Sequence, residues 1–463
     1  MALKPLKANQ LIKEMALERY ILDTGQLKQI NEKCKEVFIA QVEKKSERFE
    51  QIEKTLDFIK TIWRKYDCEQ IAEIYDKFIK IEEALFGLER EEEIGERYRD
   101  HFIHMFNCFV FGLRVISSLI KQTSQETSQN LFKVQKEILR NVGLPFNKDY
   151  EYEQRLFYLW TLVSTFHDIA IPFQHLSRLG RGISRFVDEF GWIFTDPQIS
   201  MQNFDASQLY YYFDLIASVY GGKLMLINDG QKYARPDQTQ YYLVKLLGRE
   251  FDRKNHGVLS GFFMWKTIEE IFLVGRSPKY RFSIEEFNKY TDYVLEQDIA
   301  RAALAISLHA IEEDEKTKVY PKIFPIDFGS YPLSFLLILS DELQEYLRWE
   351  GVTLKKSLNF NYHPALDIKF NQSNNLIETK VSFSIEIKNK EAIVKQANEV
   401  ARRSNINLII SDIDGAVDLF GNSMKKNLER KLDIGKNFKL NLYIYQDWSS
   451  IIYNKELNSS YKH

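Results

Sequence analysis

Apolar positions along this chain follow two different periods. From about residue 8 to residue 350 they recur every three or four places, and beyond Gly351 they alternate. In the first stretch Phe58, Ile59, Ile62 and Trp63 make one helical stripe, and Ile71, Ile74, Tyr75, Phe78 and Ile79 make another. No Gly or Pro interrupts Cys34–Leu85, so the spacing predicts long amphipathic helices. They are expected to pack on a core or to join two copies of the chain as a homodimer.

Residues 96–350 keep the helical period, but isolated His and Asp residues now sit among apolar neighbours. Pro321, Pro325 and Pro332 mark a loop over Asp314–Pro332. After Gly351 the pattern predicts strands at Leu358–Phe370, Leu376–Ile387, Ile406–Ser411 and Phe438–Tyr445. Helices are predicted at Glu391–Arg403 and Ala416–Leu432. The expected fold is mainly α in three parts: an N-terminal helical extension (1–95), a helical core (96–350) and a small α/β or α+β domain of unknown role (351–463).

A hydrophobic content of 44% supports a sizeable core and excludes a largely disordered chain. The net charge is −2, so no global basic field draws the protein to nucleic acid. The last part is mildly basic, with 17 Lys/Arg against 12 Asp/Glu from Gly351 onward, which reads as an ordinary solvated surface. Cys34, Cys68 and Cys108 are scattered without a CxxC pair, so neither a disulfide framework nor a zinc finger is expected. No signal-peptide pattern opens the chain. The most apolar segment, Phe102–Ile120, carries His104, Asn107 and Arg114 and reads as a buried helix. A soluble, cytoplasmic protein is expected, with no membrane partner.

The candidate chemistry lies in the core. His101 and His104 fall one turn apart in an apolar helix. His167 and Asp168 close another helix ahead of Pro172. His256 opens a third beside Gly257, His309 lies in the apolar helix ARAALAISLHAI, and Asp341 follows the five apolar residues Phe335–Leu339. A lone ionised carboxylate there carries a large desolvation cost, which a cation would offset. Each residue alone reads as a satisfied core group; the ordered set points to metal.

STFHDIAIPF around His167-Asp168, NHGVLSG at 255–261, SLHAI and YPLSFLLILSDELQ together resemble the HD-domain superfamily of metal-dependent phosphohydrolases and phosphodiesterases. The resemblance spans roughly residues 97–350. It implies an HD-type helical core and two divalent ions (Mn, Fe, Zn, Ni or Co). His104, His167, Asp168 and Asp341 match the first metal site, His256 and His309 complete a second, and Asp168 bridges. Many relatives have glycine where this chain has Ala170. His101 is expected as an alternative ligand or as a group holding a carboxylate or phosphate. His175 lies eight residues past the doublet, near where nucleotide-hydrolysing relatives carry a catalytic histidine.

The implied activity is phosphoester hydrolysis by a metal-activated hydroxide, with Asp168, His101 and His175 as catalytic candidates. The expected substrate is a small phosphorylated molecule, a nucleotide or cyclic nucleotide. Arg99, Arg178, Arg181, Arg253 and Lys254 are candidates to hold its phosphate. Tyr210, Tyr211, Tyr212 and Phe213 are available for base stacking, although such a run more often builds core. The alternatives are an HD-type di-iron oxygenase, an HD nuclease acting on nucleic acid (less favoured), and a nucleotide-binding sensor without turnover. SDIDGAVD (411–418) reads as a strand-to-helix turn because it lacks the spacing of a calcium loop.

Overall fold

The structure, a computed structural model, describes residues 6–43, 48–66, 68–87, 101–122, 149–174, 206–219, 226–228, 231–233, 236–275, 292–311, 325–329, 331–345, 358–360, 363–371, 376–403, 409–434, 438–446 and 450–457. Among these residues the fold is mainly α, with a small mixed sheet near the C-terminus. The helices begin with α1 (Ala8–Met15), α2 (Thr24–Phe38), α3 (Arg48–Arg64), α4 (Glu69–Gly87) and α5 (His101–Gln122). Next come α6 (Asp149–Phe166), α7 (Ala206–Ser218), α8 (Pro236–Asp252), α9 (His256–Gly275) and α10 (Asp292–His309). The last are α11 (Pro332–Glu345), α12 (Lys390–Arg403) and α13 (Ile413–Lys431). A hairpin of β1 (Leu226–Asn228) and β2 (Gln231–Tyr233) precedes the main sheet. That sheet is built from β3 (Leu358–Phe360), β4 (Ala365–Asn371), β5 (Leu376–Ile387), β6 (Phe438–Gln446) and β7 (Ser450–Leu457).

The chain divides into two compact units. One comprises Met1–Lys65, Glu89–Trp160 and Phe324–His463, and the other Tyr66–Leu88 and Thr161–Ile323.

In the first unit α5 is the central helix. All its positions from His101 to Ser117, and Leu119 and Ile120, are buried, which explains an apolar run broken by so few polar residues. Phe58 of α3 meets Phe106 and Phe109 edge-on at 5.2 and 5.9 Å between ring centres. Tyr20 is hydrogen-bonded with Ser117, whose hydroxyl donates to the Met15 carbonyl at 2.7 Å. Gly112 leaves room for Trp160: a Cβ at this position would lie 1.9 Å from the indole. The indole N–H in turn donates to the Phe109 carbonyl at 2.9 Å. The apolar segments His101–Gln122 and Glu153–Gln174 are long enough to cross a membrane, yet 94% of each apolar window is buried within the protein, as in the core of a soluble protein.

The sheet continues this unit. β3 and β4 both pair antiparallel with β5, along different parts of it. β6 lies parallel to β5, and β7 antiparallel to β6. A parallel neighbour requires a crossover, which α12 and α13 supply. Asp412 opens α13 by accepting the Gly415 N–H at 2.8 Å, so SDIDGAVD, expected as a strand-to-helix turn, is a helix N-cap. The single strand predicted at Leu358–Phe370 is two strands, with His363 and Pro364 between them. The strand predicted at Ile406–Ser411 has no strand geometry at Ile409–Ser411, and residues 406–408 lie outside the described set. β7, SIIYNKEL, has no alternating pattern, and the sequence reading passed over it.

A buried network closes the sheet onto α5. Arg114 is fully buried and pairs with Glu14, and it donates to the Pro364 carbonyl at 2.9 Å. Beside it, buried His363 donates through Nε2 to Gln41 Oε1 at 3.0 Å. Desolvation, reinforced by the Arg114 charge, pushes the His363 pKa down to about 3. This imidazole stays neutral.

Candidate metal centre

The second unit presents its donors at the ends of helices. α6 stops at Phe166, and residues 167–170 form a turn in which the Ile171 N–H donates to the Asp168 carbonyl at 3.0 Å. Adjacent residues in a continuous helix point about 100° apart. The turn releases His167 and Asp168 from that constraint, as the sequence anticipates. Ala170 donates its N–H to Ser260 Oγ at 3.0 Å, tying this turn to α9. Among the described non-glycine residues only Ala16 and Lys254 have positive φ, so alanine at 170 meets no left-handed strain.

His256 is placed by the α8–α9 junction. Lys254 takes φ 60°, its N–H donates to the Phe251 carbonyl, and the Asn255 N–H donates to the Glu250 carbonyl. This is a Schellman cap with lysine where glycine is usual. Asn255 then accepts the Val258 N–H at 3.2 Å and donates to the Ala310 carbonyl at 3.0 Å. Gly257 and Gly261 bring α9 against α10. A Cβ at 257 would lie 2.7 Å from Ala310 Cβ, and one at 261 would lie 2.9 Å from the Ala303 carbonyl oxygen. The GVLSG spacing therefore sets how closely His256 and His309 approach.

The result is a carboxylate facing three imidazoles. Asp168 Oδ1 is 3.6 Å from His256 Nε2 and 3.4 Å from His309 Nε2, and Oδ2 is 3.6 Å from His167 Nε2. Donor atoms of His167, Asp168 and His309 all lie within 4.8 Å of one another. His167 and His309 present their Nδ1 atoms to the carbonyls of Ser164 and Ile306. A carbonyl only accepts, so Nδ1 carries the proton and Nε2 the lone pair. Gln174 Oε1 holds His256 Nδ1 likewise, at 2.8 Å. Lone pairs directed at a buried carboxylate from beyond hydrogen-bond length repel it, and a cation among them converts the repulsion to attraction. Two bonds of roughly 2.1 Å to one ion separate their donors by about 3.0–3.4 Å, depending on the angle. The donors fit a transition-metal or zinc ion, and the two carboxylate oxygens face different histidines.

The first unit contributes donors of its own. His104 Nε2 lies 2.9 Å from Asp341 Oδ1. Asp341 sits on α11, and the neighbouring Glu342 pairs with Lys431 of α13 at 2.7 Å. Burial opposes the Lys431 charge, but Glu342 and Asp341 outweigh it and hold the ammonium pKa above its ordinary value. Cys108 Sγ is 3.5 Å from the same His104 Nε2.

Other candidates fall elsewhere. His101 is buried at the first position of α5 and belongs to neither donor group. Arg253 is largely exposed and pairs with Glu250 at 3.2 Å. Lys254 lies over the Phe251 ring. Tyr210 and Tyr211 are exposed, whereas Tyr212 and Phe213 are core. Arg99, His175, Arg178 and Arg181 lie outside the described residues. The sequence reading missed three contributors: Cys108, Gln174 and Ser260. Only Cys108 gave a signal, being four residues and one helical turn beyond His104.

No family model, curated protein or solved structure matches the chain. The functional reading therefore stands on these residues and their geometry.

Proposed function

We propose that this protein is a cytoplasmic, metal-dependent hydrolase of the HD type that acts on a small phosphoester, a nucleotide or cyclic nucleotide. The observation that carries the reading is the Asp168 carboxylate facing the Nε2 atoms of His167, His256 and His309 at 3.4–3.6 Å. Each of the three histidines is locked into the ligating tautomer by an acceptor at Nδ1.

A divalent ion bound there supplies Lewis acidity: it lowers the pKa of a water and neutralises charge on phosphoryl oxygens. The chain's own residues do the rest. His256 and His309 hold the Oδ1 side of Asp168 and His167 the Oδ2 side, so one carboxylate can serve two ions. Ser164, Ile306 and Gln174 keep each ring from rotating and each Nδ1 proton in place. The His256 side chain is 23% exposed while those of His167, His309 and Asp168 are nearly closed to solvent, so substrate approaches on the His256 side. His104 and Asp341 add two further donors in the first unit.

Metal analysis of the purified protein, followed by a phosphoester screen with added Mn²⁺, tests the reading. Wild type is expected to bind metal and release phosphate or nucleoside product, and Asp168→Ala to lose both. Full activity with retained metal in that variant refutes it. Iron with oxygen consumption and no phosphoester turnover would replace it with the oxygenase.

A further inference from the structure

We infer that Gln174 is a positioning residue: by holding the His256 ring it sets how tightly the protein keeps the more exposed of its two metal positions. The inference rests on the metal-dependent reading above and assigns unequal affinities to the two ions.

The three imidazoles reach the same tautomer by two routes, and helix polarity decides which. The last four carbonyls of a helix lack partners within it, as do the first four N–H groups. Ser164 and Ile306 lie in the final turns of α6 and α10. Each of these helix ends therefore supplies the acceptor for its own histidine, three residues on, at His167 and His309. His256 is instead the first residue of α9. Its helix end presents donors, and the left-handed Lys254 ties the preceding chain back to α8. An acceptor for Nδ1 has to come from outside, and Gln174 Oε1 brings it from 82 residues away, at 2.8 Å.

The amide arrives as part of a clasp. Ala170 and Gln174 are four residues apart on the segment that follows the doublet, where the Gln174 N–H donates to the Ala170 carbonyl at 3.4 Å. His256 and Ser260 are likewise four apart, on one face of α9. The Ala170 N–H meets Ser260 Oγ and the Gln174 amide meets His256, so the two pairs join rung to rung. The segment that carries Asp168 thereby also aims His256 at it.

The two metal positions differ in their surroundings. Donor atoms of His167, Asp168 and His309 lie within 4.8 Å of one another, all buried, and can hold an ion without His256. That ion sits at two helix C-termini, whose partial negative charge favours a cation. An ion that takes His256 as ligand meets the N-terminus of α9, whose partial positive charge opposes it. The His256 side chain is also 23% exposed, against 0% for His167 and 2% for His309. The weaker position is the one whose ligand is held by a side chain rather than by backbone. With no acceptor at Nδ1, the ring proton can move to Nε2, where Asp168 accepts it and the lone pair for the metal is gone.

Mn²⁺ is the probe, titrated into metal-stripped full-length protein while the paramagnetic resonance of the free ion is followed. Wild type should bind two ions of unequal affinity. Gln174→Met keeps the side-chain length without the oxygen; it should weaken the looser ion at least about tenfold and leave the tighter one within about twofold. Gln174→Ala should repeat that result, which guards against misfit of the methionine sulfur. Gln174→Glu keeps an acceptor in place and should match or exceed wild-type affinity. Nitrogen-15 spectra of the metal-free protein read the cause directly. The His256 proton should lie on Nδ1 in wild type and Gln174→Glu, and on Nε2 in Gln174→Met, a change that looser packing alone does not produce. Equal weakening of both ions, an unmoved tautomer, or failure of Gln174→Glu to restore binding overturns the inference and leaves the hydrolase reading standing. A wild type that binds one ion, or two alike, does the same. No ion bound at all overturns both.

Discussion

The Asp168 group and the His104–Asp341 group each bury a carboxylate beside imidazole, and they accommodate it differently. In the second unit every imidazole proton is committed to an acceptor at Nδ1, so the Nε2 atoms meet Asp168 at 3.4–3.6 Å as lone pairs. In the first unit His104 Nε2 lies at hydrogen-bond distance, 2.9 Å, from Asp341 Oδ1. The Asp341 side chain is also 13% exposed, against 4% for Asp168. One group is strained until a cation arrives. The other can stand as a charge-assisted hydrogen bond without metal. Pre-organisation for an ion and stability of the ion-free protein therefore oppose each other, and they do so unequally in the two units.

The largest test of that contrast substitutes the two aspartates in turn. Asp168→Asn places an amide N–H where lone pairs converge. It should leave the chelator-treated protein roughly 1–3 kcal/mol more stable in urea unfolding, since a buried charge is removed. It should also abolish the rise in Tm expected of wild type when metal is added. Asp341→Asn should do the opposite to the ion-free protein, costing about 1–2 kcal/mol through a weaker hydrogen bond to His104. If both variants destabilise the stripped protein equally, the distinction between the groups is wrong.

A smaller effect is expected from the helix contact that sets the second unit's geometry. Gly261→Ala puts a Cβ 2.9 Å from a backbone oxygen of α10, which should cost about 1–3 kcal/mol as α9 and α10 separate. Because His256 and His309 ride on those two helices, metal affinity should fall with stability. Gly248→Ala is the control: its Cβ would find Phe213 at an ordinary 3.7 Å. There helix propensity should stabilise by up to about 1 kcal/mol with metal affinity unchanged. Equal metal affinity in Gly261→Ala and wild type would show that the close approach of α9 to α10 is only packing.

Much of this contrast was legible in the sequence, and the rest has a physical reason for being hidden. Periodicity located the apolar α5, the C-terminal strand at Leu376–Ile387 and the helix end at the His167-Asp168 doublet, because each is written in local spacing. Asp341 stood out because five apolar residues precede it, and carboxylates seldom follow such runs without a partner. Cys108 stayed hidden because a cysteine is at home in an apolar helix, where it looks like any small core residue. Gln174 and Ser260 were invisible for another reason: each acts through a contact some 80–90 residues distant in the chain, which no local pattern records. The break at His363-Pro364 was missed because the flanking alternation continues across it.

His363 supplies the smallest test and the baseline for both groups. It is a buried histidine of the first unit with an amide partner and a nearby arginine, and its pKa lies at about 3 against an ordinary 6.5. Between those values the unfolded chain binds a proton that the folded protein refuses. Its contribution to stability is therefore complete above about pH 6.5 and shrinks as pH falls, by about 1.4 kcal/mol per pH unit. His363→Gln keeps a side chain that can hydrogen-bond to Gln41 but does not titrate. Its stability at neutral pH should drop through lost packing against Phe38, which meets the ring edge-on at 5.1 Å, while its decline between pH 6.5 and 5 should be shallower than wild type's by one proton. Parallel pH profiles would mean that His363 protonates freely in the fold. Burial beside Arg114 would then be no barrier to an imidazolium, and charged imidazoles could satisfy Asp168 without any metal.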